Sequence, residues 1–198
     1  AEGTAWLLAR VPGLDVQGTQ GALLSDRFGA DRVVVRWDAG RQSVTIDGLQ
    51  ADGLRWHWHP SSGAWIGLEA RHLLARRVDV QTGPAGPRPV QMPRTLQLPL
   101  RLQAARVDVA ELQIDGLTPM QALQGTGVSL WEPGGREYRV DTLVFDWDRA
   151  HIEGQASLGA NPPFTLQAQA RIRARADDAR LADWTAEARA TGPLAAFD

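Results

Sequence analysis

The segment "RWHWHP" (55–60) places two histidines at alternate positions, which on a strand is a common arrangement of metal ligands. A zinc site needs one or two further ligands that complete a tetrahedron. His72 and His151 are the other histidines, and nothing in their spacing brings them close to His57 or His59. We favour the alternative of an ordinary strand with inward tryptophans and solvated imidazoles, and we expect no metal.

Two pairs of neighbouring carboxylates could serve acid–base chemistry, namely Asp146 with Asp148 and Asp177 with Asp178. Such chemistry requires carboxylates held across a cleft with separated pKa values, so solvated charge is the better interpretation of residues this close in sequence. No serine lies in a G-x-S-x-G motif, and "GTG" (125–127) lacks the spacing and lysine of a phosphate loop. The chain has no cysteine, which excludes thiol catalysis. We therefore predict a protein that is not an enzyme and has no cofactor.

The composition is that of a folded chain, with 43% hydrophobic and 22% charged residues. A net charge of -2 gives no electrostatic reason to expect nucleic acid, and no apolar run approaches the roughly 20 residues of a membrane-spanning helix. We expect one β-rich segment, residues 1–198, of a larger protein whose membrane anchor is absent. Residues 1–13 would form a short helical lead-in, and residues 14–198 the groove-forming β region.

Apolar alternation with a period of two runs through most of the chain and predicts an all-β fold. It is clearest in "TLQLPLRLQ" (95–103), where every second residue is leucine: Leu96, Leu98, Leu100 and Leu102. A second long row contains Phe164, Leu166, Ala168, Ala170 and Ile172. Trp37, Trp56, Trp58 and Trp147 follow the apolar parity of their strands, which favours core positions.

Three features interrupt the alternation. The parity changes between Val109 and Leu112, which predicts either a β-bulge near Ala110 or a break into two strands. "TPMQ", from Thr118, has the capping residues of a helix that would end by Gly125. Weaker helical signals occur at 5–11 and 177–183.

The long one-sided rows leave two architectures open. Nine residues extend about 30 Å, and few helices are available to cover such a face. The sheet could fold tightly into a sandwich, or it could stay open as a trough that binds acyl chains. Removing a chain of about 16 carbons from water is worth about 12 kcal/mol, at roughly 0.8 kcal/mol per methylene. Periodicity does not distinguish the two.

Six stretches together resemble the N-terminal periplasmic part of the TamB family, the inner-membrane subunit of the translocation and assembly module within the AsmA-like group. They are "GTAWLLARVPGLDVQGTQGALL" (3–24), "VVVRWDAGRQSVTIDGLQADGLRWHWHP" (33–60), "LEARHLLARRVDVQTG" (68–83), "PRTLQLPLRLQAARVDVAELQIDGL" (93–117) and "IEGQASLGANPPFTLQAQA" (152–170) with "ATGPLAAF" (190–197). The fourth is the nearest in pattern, with "LPL" at 98–100 in the characteristic place. Their order along the chain carries the resemblance.

The resemblance implies an elongated, one-sided, β-taco-like antiparallel sheet with a hydrophobic groove and one or two short helices. It also implies a periplasmic bridge, anchored to the inner membrane by an N-terminal helix and working with the outer-membrane barrel protein TamA. Such a bridge would conduct phospholipid between the membranes and support outer-membrane assembly. A rival function is a chaperone-like scaffold that guides outer-membrane or autotransporter strands by β-augmentation. The expected groove lining, which would contact phospholipid acyl chains, is Trp56, Trp58, Leu96, Leu98, Leu100, Leu102, Phe164, Leu166 and Ile172.

Overall fold

The computed structural model describes residues 13–21, 26–37, 42–58, 66–81, 100–130, 137–175 and 184–193. These residues form twelve strands: β1 (Leu14–Gln17), β2 (Gln20–Gly21), β3 (Arg27–Trp37), β4 (Gln42–Asp52), β5 (Arg55–Trp58), β6 (Ile66–Gln81), β7 (Leu100–Ile114), β8 (Met120–Leu130), β9 (Glu137–Trp147), β10 (Ala150–Gly159), β11 (Thr165–Ala174) and β12 (Thr185–Pro193). The predicted all-β fold is confirmed.

All twelve strands belong to one open sheet with the order β1-β3-β4-β6-β7-β8-β9-β10-β11-β12. The short strands lie beside this path, β2 against β3 and β5 against β6. Neighbouring strands are antiparallel except β6 and β7, which pair in parallel from Ile66 beside Leu100 to Val80 beside Ile114. Extensive backbone contacts between described strands occur between sheet neighbours, as the strand order of a single open sheet requires.

Regular interruptions of the pairing explain the change in parity that the sequence displays. On β7 the apolar residues follow steps of two and three, at Leu102, Ala104, Val107, Val109, Leu112 and Ile114. Neither Ala105 nor Ala110 has a Cα partner on β6 or β8. These are the two places on β7 where successive apolar residues are three positions apart instead of two.

Strand β7 continues unbroken through Ala110, so the predicted break into two strands is wrong. The partner strand omits one residue at the same place and the register offset does not change, so the interruption is paired and is not the one-strand β-bulge that was predicted. Because two successive residues turn outward at each interruption, the apolar side chains stay on one face.

The same two lines of interruption cross the neighbouring strands. On β8 the residues omitted from the register with β7 are Ala122 and Gly127, and both have a positive φ, of 51° and 59°. On β6 the omitted residues are Arg71 and Arg76. Strand β6 has the same spacing of apolar residues as β7. Parallel pairing therefore places apolar residues of the two strands side by side, for example Leu68 beside Leu102.

The helix predicted at Thr118–Gly125 is wrong, because Met120–Leu130 is strand β8. Met120 pairs with Leu112 on one side and with Trp147 on the other, and such a ladder outweighs a capping signal worth about 1 kcal/mol. The other two predicted helices, at 5–11 and 177–183, lie outside the described residues. Within the described ranges there is no helix, and hence none long and apolar enough to cross a membrane.

Buried apolar side chains of the described chain are mostly small. They are Ala30, Val33, Val34, Ala51, Leu54, Ala70, Ala75, Ala104, Val109, Ala160 and Phe164. One cluster joins Ala51, Leu54 and Ala70, with Phe28, Leu68 and Leu73 packed against it. Most large apolar side chains of the described strands are half-buried.

Candidate functional site: the apolar face of the sheet

The strand registers align large apolar residues into rows that cross the sheet, and we call the surface they form the apolar face. One row follows the order Val16, Val33, Ile46, Val78, Leu112, Met120 and Trp147. A second row, toward the other end of the strands, follows the order Trp56, Leu68, Leu102, Leu130, Tyr138, Leu158 and Leu166. Cross-strand neighbours in such rows lie about 5 Å apart, so each row is continuous from strand to strand at the level of the backbone.

Three of the nine residues predicted to line a groove lie in the second row, namely Trp56, Leu102 and Leu166. Trp58 and Leu100 flank Ile66 in the adjacent register position. The rows thus bring together, at the backbone level, residues that are more than 100 positions apart in sequence. Of this set, Leu102 and Leu166 have described side chains, and both are half-buried.

The remaining predicted lining residues fall elsewhere. Ile172 is half-buried and pairs with Ile152, which in turn pairs with Phe145, so it belongs to a different row. Phe164 precedes β11 in a turn, where its φ is 51° and its N–H donates to the Asn161 carbonyl at 2.8 Å. It is 2% exposed, so its ring is covered by protein. Leu96 and Leu98 lie outside the described residues.

The rows on the face extend well beyond the residues that sequence reasoning selected. Leu68, Val78, Leu112, Leu158 and Ile152 all contribute half-buried side chains. A search for steps of two and three, instead of strict alternation, would have found the members on β6 and β7. Trp147, at 39% exposed, ends one row and donates its indole N–H to the Thr118 carbonyl at 3.1 Å.

The opposite face of the sheet is polar and is crossed by ion pairs. One row alternates in charge across four strands, through Arg32, Asp47, Arg77 and Glu111. Arg32 Nε lies 3.7 Å from Asp47 Oδ1, and Arg77 Nη1 lies 2.9 Å from Glu111 Oε1. These partners are one-third to one-half exposed, so they keep this face solvated and contribute little stability individually.

The described histidines lie on this polar face, each beside a carboxylate. His57 Nε2 is 3.0 Å from Glu69 Oε2, and His151 Nδ1 is 2.7 Å from Asp146 Oδ1. His72 Nε2 is 2.5 Å from Asp108 Oδ2. No group of three or more potential metal ligands occurs within the described residues, and His59 lies outside them.

Asp108 is the carboxylate with the strongest electrostatic surroundings. Arg106 donates two hydrogen bonds to this carboxylate, from Nε to Oδ2 at 2.7 Å and from Nη2 to Oδ1 at 3.0 Å. The hydrogen bond from Arg106 lowers the pKa of Asp108 below its usual value; partial burial opposes this shift and His72 adds to it. The same contact raises the pKa of Arg106. Because the carboxylate is held ionised by neighbours on its own face, its arrangement is that of a structural ion pair.

The two edges of the sheet differ. The β1 edge is short, with four residues paired to β3, followed by Gly18 and the two residues of β2. The β12 edge is a regular strand of nine residues paired to β11 without a bulge, and its residues are mostly exposed. Such a strand offers its outer N–H and C=O groups to another strand.

The direction of these groups follows from one hydrogen bond. Ala174 N–H donates to the Trp184 carbonyl at 3.3 Å, so even-numbered residues of β12 turn their backbone groups toward β11. The odd-numbered residues Thr185, Glu187, Arg189 and Thr191 therefore turn theirs toward the other side of β12, where no described strand lies and which we call the free edge. Pro193 is also odd, so the N–H that it lacks would have faced outward, as is usual for proline at a sheet edge.

No family model, no curated protein and no solved structure matches this chain. The resemblance to the TamB family therefore stays a prediction.

Proposed function

We propose that the chain is a non-enzymatic lipid-binding segment whose apolar face accommodates phospholipid acyl chains. The observation that carries the proposal is the apolar face itself: rows of half-buried Leu, Val and Ile on one side of a single open sheet, with a solvated charged face on the other. Contiguous apolar side chains that keep part of their surface exposed often mark a binding surface. Acyl chains suit this face because they need apolar area and no hydrogen bonds.

The setting we propose is that of the TamB family. The segment would lie in the periplasm, belong to a protein anchored in the inner membrane, and form part of a bridge toward the outer-membrane partner TamA. Phospholipid would move along the apolar face, in support of outer-membrane assembly. The resemblance in sequence and the one-sided sheet both support this setting.

The test compares two double variants on the same strands. Leu102→Asp with Leu166→Asp places charges on the apolar face, whereas Gln103→Asp with Gln167→Asp places them on the exposed polar face one residue away. Each protein is purified gently from a bacterial host, checked for β structure by circular dichroism, and analysed for bound phospholipid by native mass spectrometry and lipid extraction. We expect the leucine variant to lose phospholipid that the wild type and the glutamine variant retain.

Two outcomes would contradict the proposal. A wild-type protein that is stable and lipid-free would show that the apolar face does not hold acyl chains. Global unfolding of the leucine variant beside a folded glutamine variant would show that Leu102 and Leu166 are closed core rather than an accessible surface.

The free edge of β12 favours a second candidate function, a chaperone-like scaffold that guides unfolded outer-membrane strands by β-augmentation. Arg189→Pro removes one outward N–H and no hydrogen bond to β11. If this function operates, the variant loses client assembly and keeps lipid transfer. If assembly is unaffected, the scaffold function does not use this edge.

A further inference from the structure

The edge strand β12 contains the sequence "TAEARAT" (185–191), which reads the same in both directions except for its two charges. The centre of symmetry is Ala188, flanked by alanines at 186 and 190 and by threonines at 185 and 191. Glu187 and Arg189 occupy equivalent places on either side of the centre and carry opposite charges. We infer that β12 pairs antiparallel with β12 of a second copy of this chain, across a two-fold axis at Ala188. This partnership goes beyond lipid binding and does not depend on it.

In this arrangement each residue faces a suitable partner. Thr185 lies opposite Thr191 of the second copy, Ala186 opposite Ala190, Glu187 opposite Arg189, and Ala188 opposite itself. The odd-numbered residues are the hydrogen-bonded positions, because their backbone groups point to the free edge. The four odd positions from 185 to 191 then form about eight main-chain hydrogen bonds between the two copies.

Charge complementarity supports the second copy as the occupant. Glu153, Arg171 and Glu187 are register partners on β10, β11 and β12, so charge alternates along this row up to the edge. Arg171 Nη2 already lies 3.3 Å from Glu187 Oε1. Arg189 of the second copy would be the next member of the row and would continue the alternation. Arg189 forms no ion pair within the described part of the chain.

The charges also fix the register. A slip of the axis by one residue, to Glu187 or to Arg189, places that charged side chain opposite its own copy, which is destabilising. An axis midway between two residues would place the alanines of one copy opposite polar residues of the other. The apolar faces of the two copies would then lie on opposite sides of the joined sheet. Ala188 is therefore the position of the axis that satisfies both requirements.

The two-fold axis runs perpendicular to the sheet, so the apolar faces of the two copies lie on the same side. Ala186, Ala188 and Ala190 continue the rows of β11, with Ala186 beside Ile172 and Ala190 beside Ala168. Because these side chains are small, the apolar layer is thin where the two copies meet. The dimer thus has one apolar face that extends across both copies.

A cysteine cross-link gives the sharpest test, because the chain has no cysteine of its own. Residue 188 faces its own copy at a non-hydrogen-bonded position, where Cα atoms lie about 4.5 Å apart, within disulfide range. Ala188→Cys should form a disulfide dimer under mild oxidation. Ala186→Cys is the matched control on the same strand and face; its two copies would be about four residues, roughly 13 Å, apart and should remain uncrosslinked. Equal cross-linking of both variants, or of residue 186 alone, overturns the inference.

Sedimentation velocity over a range of concentrations supplies a test without cysteine. The wild type should dimerise reversibly. Glu187→Arg and Arg189→Glu should each raise the dissociation constant about tenfold or more, because they place like charges opposite each other. The double variant that exchanges the two charges should restore the dimer. A wild type that is monomeric at all concentrations overturns the inference and would mean that the edge binds a different strand. A double variant whose dissociation constant is as high as those of the single variants overturns it too.

Discussion

His72 Nε2 lies 2.5 Å from Asp108 Oδ2 and thereby links β6 to β7, the parallel pair near the middle of the sheet. In the register His72 stands beside Arg106 and Asp108 beside Leu74, so the contact runs diagonally across the pair. Arg106 binds the same carboxylate, which makes Asp108 the centre of a three-residue network. Parallel pairing is slightly less stable per residue than antiparallel pairing, so a polar link here supports a weak point of the sheet.

We predict that Asp108→Asn lowers the free energy of unfolding at neutral pH by about 1 kcal/mol, because these contacts are only partly shielded from water. The pKa of Asp108 is lowered in the folded protein, so its stabilisation is present above the usual pKa of an aspartate and is lost as the pH falls through the lowered value. Urea denaturation at pH 7 and again at strongly acid pH should therefore show a difference that disappears in acid. A difference that persists in acid would contradict this assignment.

The line of register interruptions through β7 and β8 gives a second prediction, on backbone strain. Ala122 has a φ of 51°, in the left-handed region that costs a non-glycine residue about 1–2 kcal/mol. Ala122→Gly should raise the free energy of unfolding by about 0.5 kcal/mol, since the relief of strain exceeds the added entropy of the unfolded chain. Ala110 lies on the same line without a positive φ, so Ala110→Gly should instead destabilise by about 0.5–1 kcal/mol. Urea midpoints that move in the same direction would refute the argument.

Gly48 occupies a similar interruption on β4, since it has no Cα partner on β3 or β6. It provides a third prediction, again on backbone strain. Its φ is 64°, and a Cβ at this position would collide with the side chain of Arg76 on β6. Gly48→Ala should lower the free energy of unfolding by about 1–2 kcal/mol through backbone strain alone. Gly116, in the turn after β7, has nothing within 4 Å of an added Cβ and no positive φ. Gly116→Ala should change stability by less than about 0.5 kcal/mol in the same denaturation assay.

Sequence reasoning predicted what depends on local pattern. The strand rows around Val33, Val44 and Leu166 follow from alternation, and the change of parity before Leu112 located the interruption at Ala110 without revealing that both partner strands skip a residue there. It was wrong at Thr118–Gly125, where a local capping signal competes with pairing to β7 and β9 that no local pattern encodes. It missed β12, whose inward residues are alanines and give little contrast in hydropathy.

The sequence predicted that an apolar surface exists, but it did not predict which residues form it together. One-sided alternation indicated an apolar surface, and the register was needed to place Trp56, Leu102 and Leu166 in one row. The parallel pairing of β6 with β7 sets that alignment, and parallel partners cannot be deduced from turn lengths as hairpin partners can. Phe164 shows the opposite case: it keeps the apolar parity of its strand and is nevertheless buried in the preceding turn.

The buried position of Phe164 leads to the last prediction. Its ring is 2% exposed and closes the turn between β10 and β11, together with Ala160 at 1% exposed. Phe164→Ala should therefore lower the free energy of unfolding by about 3 kcal/mol, through lost burial and the cavity left behind. Trp184, next to β12, is 41% exposed, and Trp184→Ala removes a larger ring for a cost of about 1 kcal/mol or less. Urea denaturation followed by far-ultraviolet circular dichroism compares the two. Similar losses would mean that Phe164 belongs to the accessible lining, where its removal should weaken lipid binding instead.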